Sequence, residues 1–171
     1  MDETLRAEYE RRIGGIRQAF EATGDGLACA HARAALVDEL VMRLWDAETA
    51  ADPKLREGVA VTAVGGYGRS VLFPCSDVDL LFCVEKGQMA RAKDPIRRVS
   101  QGMWDCGLQL AATTRAPGEC DKFDPNNVEF TISLMDLRRI GGDAETFEKL
   151  AAKTSPKRWM KEAKAIGSEL A

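Results

Sequence analysis

Residues 64–80 read VGGYGRSVLFPCSDVDL, and this stretch decides how the chain folds. The run GVAVTAV (58–64) is short, rich in β-branched residues and bounded by glycine, which predicts a buried strand. DVDLLFCV (77–84) predicts a second strand, and a turn-rich segment of about a dozen residues joins the two. Two aspartates, Asp77 and Asp79, therefore stand inside a strand, where aspartate is a depleted residue type.

The spacing of Asp77 and Asp79 indicates a metal site. Side chains alternate along a strand, so the two carboxylates share one face while Val78 and Leu80 point into a core. Like charges on one face repel each other, and a hard divalent cation such as Mg²⁺ compensates them while keeping positions for water and substrate phosphates. Two such carboxylates can hold one ion or share two, as in phosphoryl or nucleotidyl transfer. Solvent-facing aspartates on an edge strand would give the same pattern.

The residues just before the aspartates indicate a phosphate site. Gly65 and Gly66 end the first predicted strand about ten residues earlier, and a diglycine lets the backbone approach a ligand and present N–H groups to a phosphate. A diglycine at a strand end also suits a simple tight turn. The guanidinium of Arg69 could pair with phosphate oxygens, and Ser76 could add a hydroxyl.

The rest of the chain predicts helices around a small sheet. Periodic apolar residues predict helices over residues 3–22, 28–50, 95–105, 127–140, 144–152 and 156–170, and residues 107–116 predict a third strand. The order of elements is helix, helix, strand, strand, helix, strand and then helices. This order indicates an α+β domain, with a small mixed sheet and flanking helices.

Composition narrows the classes of function. The chain has 171 residues, with 24 Lys and Arg against 27 Asp and Glu and a net charge of −3, which argues against an electrostatically driven nucleic-acid binder. No apolar stretch reaches the roughly 18 residues that cross a bilayer. The five cysteines have no CxxC pair, which argues against a disulfide framework or a zinc site and indicates a cytoplasmic protein. The single histidine, His31, has no evident partner and is interpreted as structural or solvated.

Three segments resemble a known family. A strand ending in glycine, a spacer of about ten residues and D-h-D opening the next strand are typical of the polymerase-β-like nucleotidyltransferase superfamily. Within it, GGYGRSVLFPCSDVDLL (65–81) resembles the signature GGYGRGEL-x-P-x-SDIDLL of the bacterial PII-protein uridylyltransferase/uridylyl-removing enzymes. WDCGLQLAATTRAPGEC (104–120) and NNVEFTISLMDLRRIGGD (126–143) resemble two further segments of that family. The resemblance implies a nucleotidyltransferase core over residues 57–143, between N-terminal helices (1–56) and C-terminal helices (144–171).

The resemblance also implies an activity and a role for each candidate residue. The family transfers UMP from UTP to a tyrosine of the signalling protein PII, releases pyrophosphate and uses Mg²⁺ or Mn²⁺. The implied catalytic metal ligands are Asp77 and Asp79, and the implied nucleotide contacts are Gly65, Gly66, Arg69 and Ser76. The full-length family enzyme also has an HD-type domain that needs several histidine ligands. With one histidine available, the chain is expected to be an excised N-terminal domain or a stand-alone relative.

The chain departs from the family pattern in three places. The third predicted strand has no acidic residue where many superfamily members carry a third carboxylate, so the general base is unassigned. The family's VGHS is LAAT (110–113) here, and Ser70 and Val71 replace the usual Gly-Glu after Arg69. Two alternatives therefore stay open: a nucleotidyltransferase of the same fold with another protein, a small molecule or RNA as acceptor, and a degenerate nucleotide-binding regulatory module.

Overall fold

A computed structural model describes residues 3–121, 124 and 127–154 of the chain. Its helices and strands are α1 (Glu3–Thr23), α2 (Gly26–Ala51), β1 (Val59–Ala63), α3 (Gly65–Gly68), β2 (Val78–Val84), α4 (Met89–Asp105), β3 (Leu110–Arg115), α5 (Val128–Ser133), β4 (Arg138–Gly142) and α6 (Ala144–Lys153). The predicted α+β class, with a mixed sheet and flanking helices, is confirmed. The helix predicted over residues 156–170 lies outside the described residues.

The four strands form one mixed sheet in the order β3-β2-β1-β4. β1 pairs antiparallel with both β2 and β4, whereas β2 and β3 run parallel. In this register Ala63 lies opposite Leu80, and Asp79 lies beside Ala111. Because β2 has a neighbour on each side, it is an interior strand, and the interpretation of the aspartates as residues of an edge strand is wrong.

Helices cover both faces of the sheet. On one face, Val78, Leu80 and Phe82 of β2 pack in a core with residues of α1, α2 and α4, and the Phe82 ring lies 6.3 Å from that of Trp45. On the other face, Leu81 and Cys83 pack with residues of α5 and α6. β2 is therefore buried on both sides, and Asp79 is its one half-buried residue. The fold thus holds this carboxylate on an interior strand whose other residues are buried.

The helix predicted over residues 127–140 is wrong beyond Ser133. There α5 ends, and after a short turn Arg138–Gly142 forms the edge strand β4. The sequence RRIGG has no alternation of apolar and polar residues, and its register with β1 shifts between Val61 and Thr62. Gly142 has a φ of 72°, and a Cβ added there would lie 2.2 Å from the carbonyl oxygen of Val59. Close contact with β1, rather than a pattern of its own, makes this segment a strand.

The bounds of the other helices and strands differ less from those predicted from the sequence. The predicted third helix, 95–105, begins earlier, at Met89, and contains Pro95. The turn-rich segment between the first two strands contains the short helix α3, and Asp77 lies just before β2 rather than within it. In the part of the chain that the structure describes, no helix combines the length and the apolar character needed to span a membrane.

Candidate functional site

The turn after β1 brings glycine backbone against an aspartate. Gly65 opens α3 with a φ of 59°, and a Cβ added there would lie 3.6 Å from Asp79 Oδ2. At Gly68 an added Cβ would lie 1.8 Å from the carbonyl oxygen of Asp136, so only glycine fits. The sequence GGYG therefore lets the turn lie between the start of β2 and the segment that precedes β4.

Tyr67 anchors the same turn to the rest of the fold. Its buried hydroxyl donates a 2.6 Å hydrogen bond to Asp38 Oδ1 on α2. Arg138 on β4 donates to both oxygens of Asp38, at 2.6 and 3.1 Å, and to the Tyr67 carbonyl at 3.1 Å. Burial, together with the Asp38 carboxylate, raises the pKa of Tyr67, so the phenol stays a donor at neutral pH. Tyr67 covers the turn and is not available to stack on a base.

A cleft of about 620 Å³ opens beside this turn. It is lined by five of the six residues for which the sequence predicts a role, namely Gly66, Arg69, Ser76, Asp77 and Asp79. The sixth, Gly65, lies against Asp79 as described above. Residues on α3, the following loop, β2 and the segment before β3 thus come together in one concave surface, which is the usual form of a small-molecule site.

The two aspartates differ in their surroundings. Asp77 is exposed, whereas Asp79 is half-buried. Burial raises the pKa of Asp79, and the neighbouring Asp77 carboxylate raises it further. A divalent cation would relieve both effects, because it replaces lost hydration and offsets the repulsion. The hard carboxylate oxygens at the cleft wall therefore fit Mg²⁺ or Mn²⁺.

The remaining ligands of such an ion would come from water and substrate. In residues 3–121, 124 and 127–154, no group of three or more His, Cys, Asp or Glu is placed to hold a metal. The β3 residue beside Asp79 is Ala111, which has no carboxylate. Gln109, one position before β3, lines the cleft, and its backbone carbonyl accepts a hydrogen bond from Val78 N at 2.8 Å. The chain thus offers two carboxylates at this point.

Arg69 lines the cleft, and Ser70 follows it in the loop that joins α3 to β2. The exposed guanidinium of Arg69 forms an ion pair with Asp136, which precedes β4. Ser70 has a left-handed backbone, with a φ of 62°, and its carbonyl oxygen lies 2.8 Å from His31 Nδ1. Because a carbonyl only accepts, Nδ1 carries the proton in this contact. His31 therefore has a partner that the sequence did not reveal.

Comparison with known proteins gives the family. No protein-family model matches the chain. It is 32% identical over 158 residues to the bifunctional uridylyltransferase/uridylyl-removing enzyme of Phenylobacterium zucineum, which covers 90% of this chain and 16% of that enzyme. The enzymes of the same name from Burkholderia lata and Pseudomonas putida are each 32% identical, over 84% of this chain and 16% of the relative. The chain belongs to the uridylyltransferase/uridylyl-removing enzyme family.

This chain spans only 16% of the length of each of these relatives, so the similarity covers one part of each enzyme. The family that the three sequence segments indicated is confirmed. Two residues of this family member that sequence reasoning missed belong to the cleft region: Phe73 on the cleft wall and Asp136 beside Arg69. An aromatic residue in the spacer between the glycines and the aspartates was the one available signal for Phe73. Asp136 gave none, because it lies 67 residues from Arg69 in the sequence.

Proposed function

We propose that this chain is a metal-dependent nucleotidyltransferase domain that transfers UMP from UTP to a tyrosine of a PII-type signalling protein. The observation that supports it most is that Asp77, Asp79 and the diglycine turn meet in one cleft, with Asp79 Oδ2 against Gly65. The names of the relatives support uridylyl transfer. The family resemblance of the motif supports UTP as donor and PII as acceptor.

In this proposal each side chain has a defined task. Asp77 and Asp79 would hold a Mg²⁺ or Mn²⁺ ion, and such an ion would supply positive charge to offset the charge that develops on the leaving pyrophosphate. Gly65 and Gly66 let the backbone approach the phosphates without a Cβ in the way. Ser76 donates its hydroxyl to a phosphate oxygen. Catalysis of this kind depends mainly on positioning and on charge neutralisation.

The transfer of UMP from UTP to the tyrosine needs no further reactant, since one bond to the α-phosphorus forms as another breaks. The tyrosine oxygen of the acceptor forms a bond to the α-phosphorus of UTP, and the bond from that phosphorus to the bridging oxygen breaks. Pyrophosphate leaves with that electron pair, and the phenol proton passes to solvent or to a base. The exposed guanidinium of Arg69 can turn from Asp136 to a phosphate, because both partners are anionic oxygens and the pair is solvent-accessible.

One observation favours a second candidate function. Ala111 stands beside Asp79 where many nucleotidyltransferases place a third carboxylate. A site with two carboxylates can still bind a metal–nucleotide complex, so the domain could act as a nucleotide-binding regulatory module without turnover. Stable binding of UTP with Mg²⁺ and no transfer to any acceptor would select this function.

The test is transfer of label from [α-³²P]UTP to a PII protein in the presence of Mg²⁺. We expect labelling by the unmodified chain, and a loss of at least about 10²-fold in the Asp77→Asn, Asp79→Asn double variant, because charge stabilisation at the phosphates is removed. Asp94→Asn is the matched control, since Asp94 is an exposed aspartate on α4 outside the cleft. Equal labelling by the double variant and the unmodified chain would show that the catalytic assignment is wrong. A clear preference for ATP over UTP would indicate a different nucleotide donor.

A further inference from the structure

Phe73 is an exposed aromatic residue on the wall of the cleft. Its exposed fraction is 55%, and it lines the same cleft as Arg69, Asp77 and Asp79. A single exposed apolar residue on open surface needs no explanation. In a concave site, however, an apolar wall beside a few charged groups is the usual composition of a ligand pocket. The position of Phe73 therefore points to a contact with a ligand.

The backbone holds Phe73 rigidly on both sides. Before it, Leu72 is buried and its N–H donates to the Ala30 carbonyl of α2 at 3.2 Å. After it, Ser76 N–H donates to the Phe73 carbonyl at 3.2 Å, which closes a four-residue turn. Pro74 at the second position and Cys75, with a φ of 66°, at the third fit a type II turn. The ring is thus presented on a fixed frame, and a ligand that contacts it orders little additional chain.

The cleft offers different chemistry to the two ends of a nucleotide. Asp77, Asp79 and Arg69 supply the charges that suit a metal and a triphosphate. A nucleobase instead presents a flat π-face, which stacks on aromatic side chains. Tyr67, the other aromatic residue among the described residues that line the cleft, is buried and bonded to Asp38. Phe73 is left as the exposed aromatic surface for a base.

We infer that Phe73 stacks on the nucleobase of the bound nucleoside triphosphate. The inference rests on the proposed nucleotide site and adds to it the residue that contacts the base. Stacking depends on the face of the ring and not on its hydrogen-bonding edge. Phe73 therefore contributes affinity for any nucleobase, and selection of uracil falls to other contacts.

The experiment measures the affinity of two ligands by calorimetry, each with Mg²⁺: UTP, and inorganic tripolyphosphate, which has no base. We expect Phe73→Ala to weaken UTP binding about five- to 150-fold and to leave tripolyphosphate binding unchanged. Phe73→Trp should restore UTP binding, because it restores an aromatic face. Trp104→Ala is the matched control, since Trp104 is 53% exposed on α4 and outside the cleft, and it should change neither affinity.

Tripolyphosphate reports whether the phosphate end of the cleft is intact in each variant. Equal weakening of both ligands by Phe73→Ala would show that Phe73 only supports the loop, and the inference would be wrong. Unchanged UTP affinity in Phe73→Ala would also overturn it, because the ring would then contribute nothing to binding of the base. The proposed function fails separately, if the unmodified chain binds neither ligand or if Asp77→Asn, Asp79→Asn binds both as tightly.

Discussion

At the scale of single residues, the loop between α3 and β2 contains two residues, Ser70 and Cys75, that adopt left-handed backbone conformations without being glycine. Their φ angles are 62° and 66°. For an L-residue this conformation costs about 1–2 kcal/mol, because Cβ crowds the following carbonyl oxygen. At Ser70 the hydrogen bond from His31 Nδ1 to the carbonyl offsets part of that cost. The family motif has glycine after its arginine, which is the residue that this conformation favours.

Ser70→Gly should stabilise the fold. Relief of the steric cost is partly offset by about 0.4–1 kcal/mol of additional conformational entropy in the unfolded chain, so we expect a gain of up to about 1 kcal/mol in the free energy of unfolding. Urea unfolding followed by circular dichroism measures it. Ser76→Gly is the matched control, since Ser76 has no positive φ and should only lose stability. A loss in Ser70→Gly as large as the control's would contradict the account.

Some residues of the cleft region could be predicted from the sequence and others could not, because only some of them form a local pattern. Asp77, Asp79, Gly65 and Gly66 could be proposed as site residues because alternation along a strand and glycine at its end are local properties of the chain. The partners that hold the turn in place are distant in sequence: Arg69 is 67 residues from Asp136. Asp38 is 100 residues from Arg138. Only the folded chain brings these pairs together.

At the scale of elements, Asp143 connects α6 to the start of β1. Its carboxylate accepts from Glu145 N at 3.2 Å and from Thr146 Oγ1 at 2.7 Å, which caps the helix, and from Gly58 N at 2.9 Å. Burial acts to raise the pKa of Asp143, but the hydrogen bonds outweigh it and the pKa is lowered. Ionised Asp143 therefore stabilises the fold above the pKa of an unfolded aspartate, and this contribution is lost as the pH falls through the lowered pKa.

Asp143→Ala should lower the free energy of unfolding by about 1–2 kcal/mol at neutral pH, because an N-cap and a link to Gly58 are lost. The difference from the unmodified chain should shrink as the pH falls below about 4, where aspartate protonates. Urea unfolding at a series of pH values measures both effects. Asp143→Asn keeps a capping side chain and should cost less. A difference that does not change with pH would rule out the carboxylate as the source.

Most helices and strands could be predicted from the local sequence pattern, and β4 could not. The helices α1, α2 and α6 and the strands β1, β2 and β3 were predicted, since each carries its own periodicity or a β-branched run. The first three residues of β4, 138–140, were included in a predicted helix because the apolar spacing before them is helical and RRIGG (138–142) has no strand pattern of its own. Its conformation is set by pairing with β1, which is a property of the sheet and not of the segment.

At the scale of the whole molecule, the fold encloses β2 and leaves one end of it open at the cleft. Helices pack on both faces of the sheet, and β1 and β3 flank β2. This enclosure fixes the position of Asp79 and raises its pKa, so ionised Asp79 costs folding stability when no cation is bound beside it. Binding sites often carry such a cost, because a charged group that is ready for its ligand must be buried before the ligand arrives.

In the proposed function, Asp77 and Asp79 hold the metal of a nucleotide complex whose phosphates lie on the diglycine turn. Anomalous diffraction from a crystal of the chain soaked with UTP and Mn²⁺ would locate that metal. We expect an anomalous peak between the Asp77 and Asp79 carboxylates, with the triphosphate against Gly65 and Gly66, and no peak in the Asp77→Asn, Asp79→Asn variant. A manganese peak elsewhere, with the two carboxylates unliganded, would contradict it.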